Sequence, residues 1–143
     1  MTFPETLREL ARLRPEKFIF ESDYSDSQRR WYVEFCTRDM PVVALQFWGK
    51  YEEDPKKEPT DIVFSHSQDD IDSIMAEIGF RVLLSTSGYD NEKKWDLCYE
   101  VFNLDWTLTD VCGHTGETEK NPAMQKALTA VVEELKKGEE QNA

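Results

Sequence analysis

The alternation of apolar and polar positions divides the chain into short, recognisable elements. Leu7, Leu10 and Ala11 fall on one face of a helical period. Thr2 and Glu5 have capping-box spacing, Pro4 suits a first turn and Pro15 stops the helix. Three strand-like segments follow, "KFIFESD", "RRWYVEFCT" and "PVVALQFWGKY", separated by the turn-compatible "YSDSQ" and "RDM". In the second, Trp31, Val33 and Phe35 alternate with Tyr32, Glu34 and Cys36, as expected of a strand with one face on a core and the other in water. The third is apolar on both faces, which predicts a central or covered strand.

The polar run "EEDPKKEPTD" reads as a loop, followed by a short strand at Ile62 to Phe64. In "SHSQDDIDSIMAEIGF", Ser67 can cap a helix with Asp70 at its third position. Ile71, Ile74, Met75 and Ile78 form its apolar stripe, and Gly79 suits the left-handed turn at its end. "FRVLLSTS" and "KKWDLCYEVF" read as strands around the turn "GYDNE", and "LDWTLTDV" as a further strand after a tight turn at Asn103. The last helix has Asn121 as cap and Pro122 in its first turn. Its stripe is Met124, Ala127, Leu128, Val131, Val132 and Leu135, and Gly138 is placed to end it.

Shifting the chain by 64 residues superposes this pattern on itself. Leu7, Leu10 and Ala11 meet Ile71, Ile74 and Met75; Phe18 and Phe20 meet Val82 and Leu84; Asp26 meets Asp90. Trp31, Val33 and Phe35 meet Trp95, Leu97 and Tyr99, and Gly49 meets Gly113. The basic pairs Arg29-Arg30 and Lys93-Lys94 precede the two strand tryptophans, where charge discourages edge pairing. A helix and three strands are thus used twice and closed by a third helix. The expected fold is α+β, in the order α-β-β-β-α-β-β-(β)-α. Its three helices would lie on one mainly antiparallel sheet of five to six strands, because half a sheet alone would leave an apolar face in water. Residues 1–138 form one expected domain, and 139–143 a frayed acidic tail.

Composition narrows the function classes. The chain has 143 residues and 29 acidic against 17 basic side chains, a net charge of −12. That sign disfavours direct binding to nucleic acid or lipid headgroups and favours a protein partner with a basic surface. No long apolar run and no signal-like N-terminus is readable, so the expected location is cytoplasmic. Cys36, Cys98 and Cys112 lack C-x-x-C spacing and fit reduced thiols.

Residues 64–135, with "FSHSQDDIDSIMAEIGFRVLL", "WDLCYEVF" and "GETEKNPAMQKALTAVVEEL", resemble the phage ABA sandwich domain of small accessory phage proteins. In that family an Ile-bearing helix leads to a strand, a W-x-x-x-[FY] strand and a closing helix. The resemblance covers about half the chain and implies an accessory protein with no active site to carry over. The acidic N-terminal half and "LDWTLTDV" depart from it. The element order and acidity are also similar to type III secretion chaperones, by topology and charge alone.

Candidate chemistry is sparse. Cys36, Cys98, Cys112, His66 and His114 lack the paired spacing of a zinc site, and no metal or cofactor is expected. A nucleophile pair of Cys98 or Cys112 with His66 or His114 is the enzyme alternative, against the usual role of a strand cysteine as a small buried hydrophobe. "GHTG" lacks a P-loop lysine, and Asp69-Asp70-x-Asp72 lacks the spacing of a calcium loop. Trp31 and Trp95 read as core. Trp48 and Trp106, with Glu52, Glu53 and Asp54, are the candidate partner-binding residues. The function expected is a non-catalytic acidic interaction protein of phage or mobile-element type. It would bind and inhibit a host or defence protein, as an anti-CRISPR or other counter-defence factor. The alternatives are a DNA-mimic inhibitor, an acidic secretion-type chaperone, or a Cys/His-dependent enzyme; a homodimer through an edge strand or helix is expected of a half-covered sheet.

Overall fold

The computed structural model describes residues 1–39, 42–52, 57–89 and 94–141, with the backbone alone at 87–89, 94, 95 and 141. These fall into two compact units, Thr2–His66 and Ser67–Ala143. The first contains α1 (Phe3–Leu13), β1 (Phe18–Ser25), β2 (Arg30–Thr37) and β3 (Ala44–Trp48). The second contains α2 (Gln68–Glu77), β4 (Phe80–Tyr89), β5 (Lys94–Asn103), β6 (Leu108–His114) and α3 (Lys120–Gln141).

The α+β class and the order of helices and strands match the sequence pattern, but the expected single sheet does not form. The strands make two three-stranded antiparallel sheets, β1-β2-β3 and β4-β5-β6. Each trio pairs with its neighbours in chain order, which satisfies its ladder through local connections. Residues 62–64 add no strand: Phe64 is buried and meets the Phe20 ring edge-on at 6.4 Å.

In the first unit the Thr2 hydroxyl accepts the Glu5 backbone N–H at 3.3 Å, Pro4 occupies the first turn, and α1 ends at Leu13. Leu7, Leu10 and Leu13 are buried, and α1 packs on β1. Phe18 and Phe35, both buried, stack at 5.3 Å on the inner face of the sheet. Trp31 shares that face but is only half-buried.

In the second unit Ser67 and Asp70 form the expected capping box, and Gly79 adopts a φ of +89° after α2. The backbone of α3 packs on all three strands and on α2, burying Ala123, Met124, Ala127, Leu128, Val131 and Val132. This helix begins one residue before the expected cap Asn121 and runs through Gly138 to Gln141. A helical glycine costs about 1 kcal/mol relative to alanine, which weakens a helix without ending it.

The 64-residue repeat extends to strand register. Phe35 faces Phe20 in the first hairpin, and the positions 64 further on, Tyr99 and Leu84, face each other in the second. The third strands break the rule. Phe35 faces Leu45, whereas Tyr99 faces Gly113, four residues past the equivalent Thr109. Gly49 and Gly113 are therefore not structural counterparts, and a bulge between Glu100 and Phe102 accompanies the slip.

Candidate functional site: an indole-lined groove in the second unit

The segment "LDWTLTDV" is expected as a strand after a tight turn at Asn103; the turn starts there but takes in the first half of the segment, joining β5 to β6. Asn103 C=O accepts the Trp106 N–H at 3.0 Å, and the Asn103 N–H donates to the Thr107 carbonyl at 2.8 Å. The Asp105 carboxylate accepts the Thr107 N–H at 3.1 Å and its hydroxyl at 2.6 Å. Those side-chain and backbone hydrogen bonds hold the Asp105 carboxyl below its ordinary pKa. The Asn103 amide donates to Thr107 Oγ1 at 2.9 Å, completing the turn.

Within this turn Trp106 has a φ of +66°. A left-handed residue at such a hairpin bulge is ordinarily glycine, because a side chain there costs about 1–2 kcal/mol. The indole is 51% exposed, so burial recovers only part of that cost. Arg81 braces it: the guanidinium lies 4.8 Å from the ring centre while its Nε donates to the Leu104 carbonyl at 2.9 Å. The Phe102 ring stands 5.7 Å away.

Trp106 and Leu104 of the turn, Phe80, Arg81, Val82 and Leu83 of β4, and Asp72, Ser73 and Ala76 of α2 line a groove of about 460 Å³. Leu83 and Leu104 are exposed apolar residues. Asp72 has its carboxyl pKa raised, first by burial and then by the neighbouring charge of Asp69. The groove thus offers an apolar wall, a strained aromatic lip and a carboxylate that a visiting cation would stabilise.

The other candidates lie in the first unit. Trp48 is 40% exposed on the outer face of β3, with the Tyr32 ring at 4.5 Å and the Arg30 guanidinium 4.6 Å from its centre. Tyr32 also donates to the Glu34 carboxylate, which accepts a second bond from Gln46 Nε2 at 3.0 Å. These two bonds lower the Glu34 pKa; burial, followed by Glu34 itself, pushes the Tyr32 hydroxyl up to about 12. Glu52 lies elsewhere, in a cleft of about 470 Å³ with Trp31, Gly49 and Lys50. Its carbonyl accepts the Tyr24 hydroxyl at 2.6 Å. Glu53 and Asp54 lie outside the described residues, as does the side chain of Trp95.

The cysteines depart from the buried-hydrophobe expectation. Cys112 is exposed and Cys98 half-buried, with Cys98 Sγ 3.2 Å from His114 Nδ1 across the β5-β6 ladder. His66 packs against Phe3, its ring centre at 5.1 Å. Among the described residues no three His, Cys, Asp or Glu side chains are grouped to hold a metal ion. No described helix is long and apolar enough to cross a membrane.

Charge is divided unequally. Residues 1–66 hold 13 acidic and 10 basic side chains, net −3, whereas 67–143 hold 16 and 7, net −9. Comparison with family models, curated proteins and solved structures gives no match. Of the groove residues, sequence reasoning singled out Trp106 and missed Arg81, Leu83 and Leu104. The spacing of Asn103, Asp105 and Trp106 in "NLDWT" was the available signal, since Asn and Asp favour turns over strands.

Proposed function

We propose that the chain is a non-catalytic interaction protein whose second unit binds a basic, amphipathic segment of a partner protein in the Trp106 groove. The observation that carries this reading is a half-exposed tryptophan kept in a backbone conformation that glycine adopts without strain. An apolar side chain of the partner would sit against Leu83, Leu104 and Trp106, and a neighbouring lysine or arginine would meet Asp72. The net charge of −9 on residues 67–143 supports a cationic partner. In its fuller form, which leans on the phage-domain resemblance of residues 64–135, the partner is a host or defence protein that the bound chain inhibits.

Trp106→Gly is the informative variant, because it removes the indole and relieves the strained turn together. A helical Leu/Lys peptide should bind the wild-type chain, its Leu/Glu counterpart should not, and Trp106→Gly should weaken the Leu/Lys complex at least about tenfold without loss of stability. Equal binding of both peptides, or no effect of the substitution, would remove the groove from the account. A DNA mimic would instead bind through charge alone, losing affinity steeply with salt and little with Trp106→Gly.

A further inference from the structure

We propose that Cys98 and His114 form a thiol-reactive site on the open face of the β4-β5-β6 sheet, one that takes low-molecular-weight disulfides. The two residues are direct cross-strand partners, and Sγ lies 3.2 Å from Nδ1. With the imidazole protonated on Nε2, Nδ1 accepts the thiol hydrogen. His114 is exposed and Cys98 half-buried, so a small reagent reaches the sulfur without unfolding the sheet. Ser85 faces Cys98 from β4, Glu100 lies two residues along β5 and Cys112 two residues along β6.

The reaction is thiol-disulfide exchange. His114 takes the Cys98 proton as Sγ attacks one sulfur of the disulfide; the new S–S bond forms, the old one breaks, and the departing thiolate recovers the proton from the imidazolium. No electron acceptor other than the disulfide is needed.

The other thiols serve as internal controls. Cys112 is more exposed than Cys98 and stands opposite Glu100. The Cys36 thiol has its pKa pushed up, first by burial and then by the Glu34 carboxylate, which disfavours its reactive form.

The test is incubation of the full-length chain with oxidised glutathione, acid quenching and mass mapping of the adducts. Cys98 should be modified about fivefold or more faster than Cys112 despite its lower exposure, and His114→Gln should remove that advantage while leaving the Cys112 rate unchanged. Both rates are read in one chain, so a general loss of fold would show as acceleration at all three cysteines. Modification in order of exposure, with Cys112 first, or an unchanged ratio in His114→Gln, would overturn the proposal. Neither result bears on the Trp106 groove, which is read with peptides.

Discussion

The two units apply one pattern to different ends. Both open with a capped helix, and the helix terminators, Pro15 and Gly79, stand 64 residues apart. Both continue into a hairpin of identical relative register. Their interiors then diverge. The first unit buries Phe18 and Phe35 as a stacked pair and adds Phe64 from its final loop. The second instead lays the aliphatic face of α3 on its sheet. The exposed faces differ as well: the Tyr32, Glu34 and Gln46 network of one unit has as its counterpart, 64 residues after Glu34, the Cys98 thiol facing His114. The two units thus share element order and hairpin register while carrying different chemistry at their outward positions.

The largest test of this comparison lies in the two interiors. Phe35→Ala should cost about 3–5 kcal/mol in urea unfolding, and Leu128→Ala, on α3, about 2–5 kcal/mol. A loss below 1 kcal/mol at either site would mean that the stacked pair, or the helix stripe, is not what holds that unit.

The helix ends should separate next. Gly79→Ala forces a side chain into a φ of +89° and should cost about 1 kcal/mol. Pro15→Ala, at the equivalent position, should stay within about 0.5 kcal/mol. At the N-termini, Ser67→Ala breaks a reciprocal capping box and should cost about 1 kcal/mol, more than Thr2→Ala, which loses one bond of 3.3 Å. Equal losses at Ser67 and Thr2 would show that reciprocity adds nothing.

The smallest expected effect concerns pH. The Tyr32 hydroxyl is raised in the folded chain to about 12 from 10.0, so its contribution is complete below the unfolded value and fades as pH rises between the two. Glu34 is lowered from 4.5, so its contribution is present above that value and lost as pH falls through the folded one. Tyr32→Phe should remove the alkaline loss and shrink the acid loss, because the folded Glu34 carboxyl moves back toward 4.5, with stability at neutrality lower by less than about 1 kcal/mol. An unchanged acid limb would show that solvent already satisfies Glu34.

Local signals explain how much of this was legible in the sequence. Capping residues, Pro4, Gly79 and the period of α3 act within a few residues of themselves, and the hairpin register follows from strand alternation. Whether six strands join into one sheet depends on edges far apart in the chain, for which alternation carries no sign. The slip of β6 against β5 is local but equally silent, because a bulge changes register without altering composition. Trp106 was recognised as a candidate for exposure, but the apolar-polar alternation of "LDWTL" reads as strand and hid how far the turn at Asn103 extends. Arg81 and Leu83 were silent, since an arginine and a leucine in a strand carry no mark of the groove they line.

The central claim is that the acidic second unit, through its strained tryptophan, is the surface that recognises a basic partner. Backbone amide chemical shifts of the full chain, followed during titration with the Leu/Lys peptide, test it most directly. The account predicts changes concentrated at residues 72–76, 80–83 and 104–106 and absent in Trp106→Gly. Changes centred on Arg30, Tyr32 and Trp48 of the first unit, or spread evenly over the acidic surface of both, would contradict it.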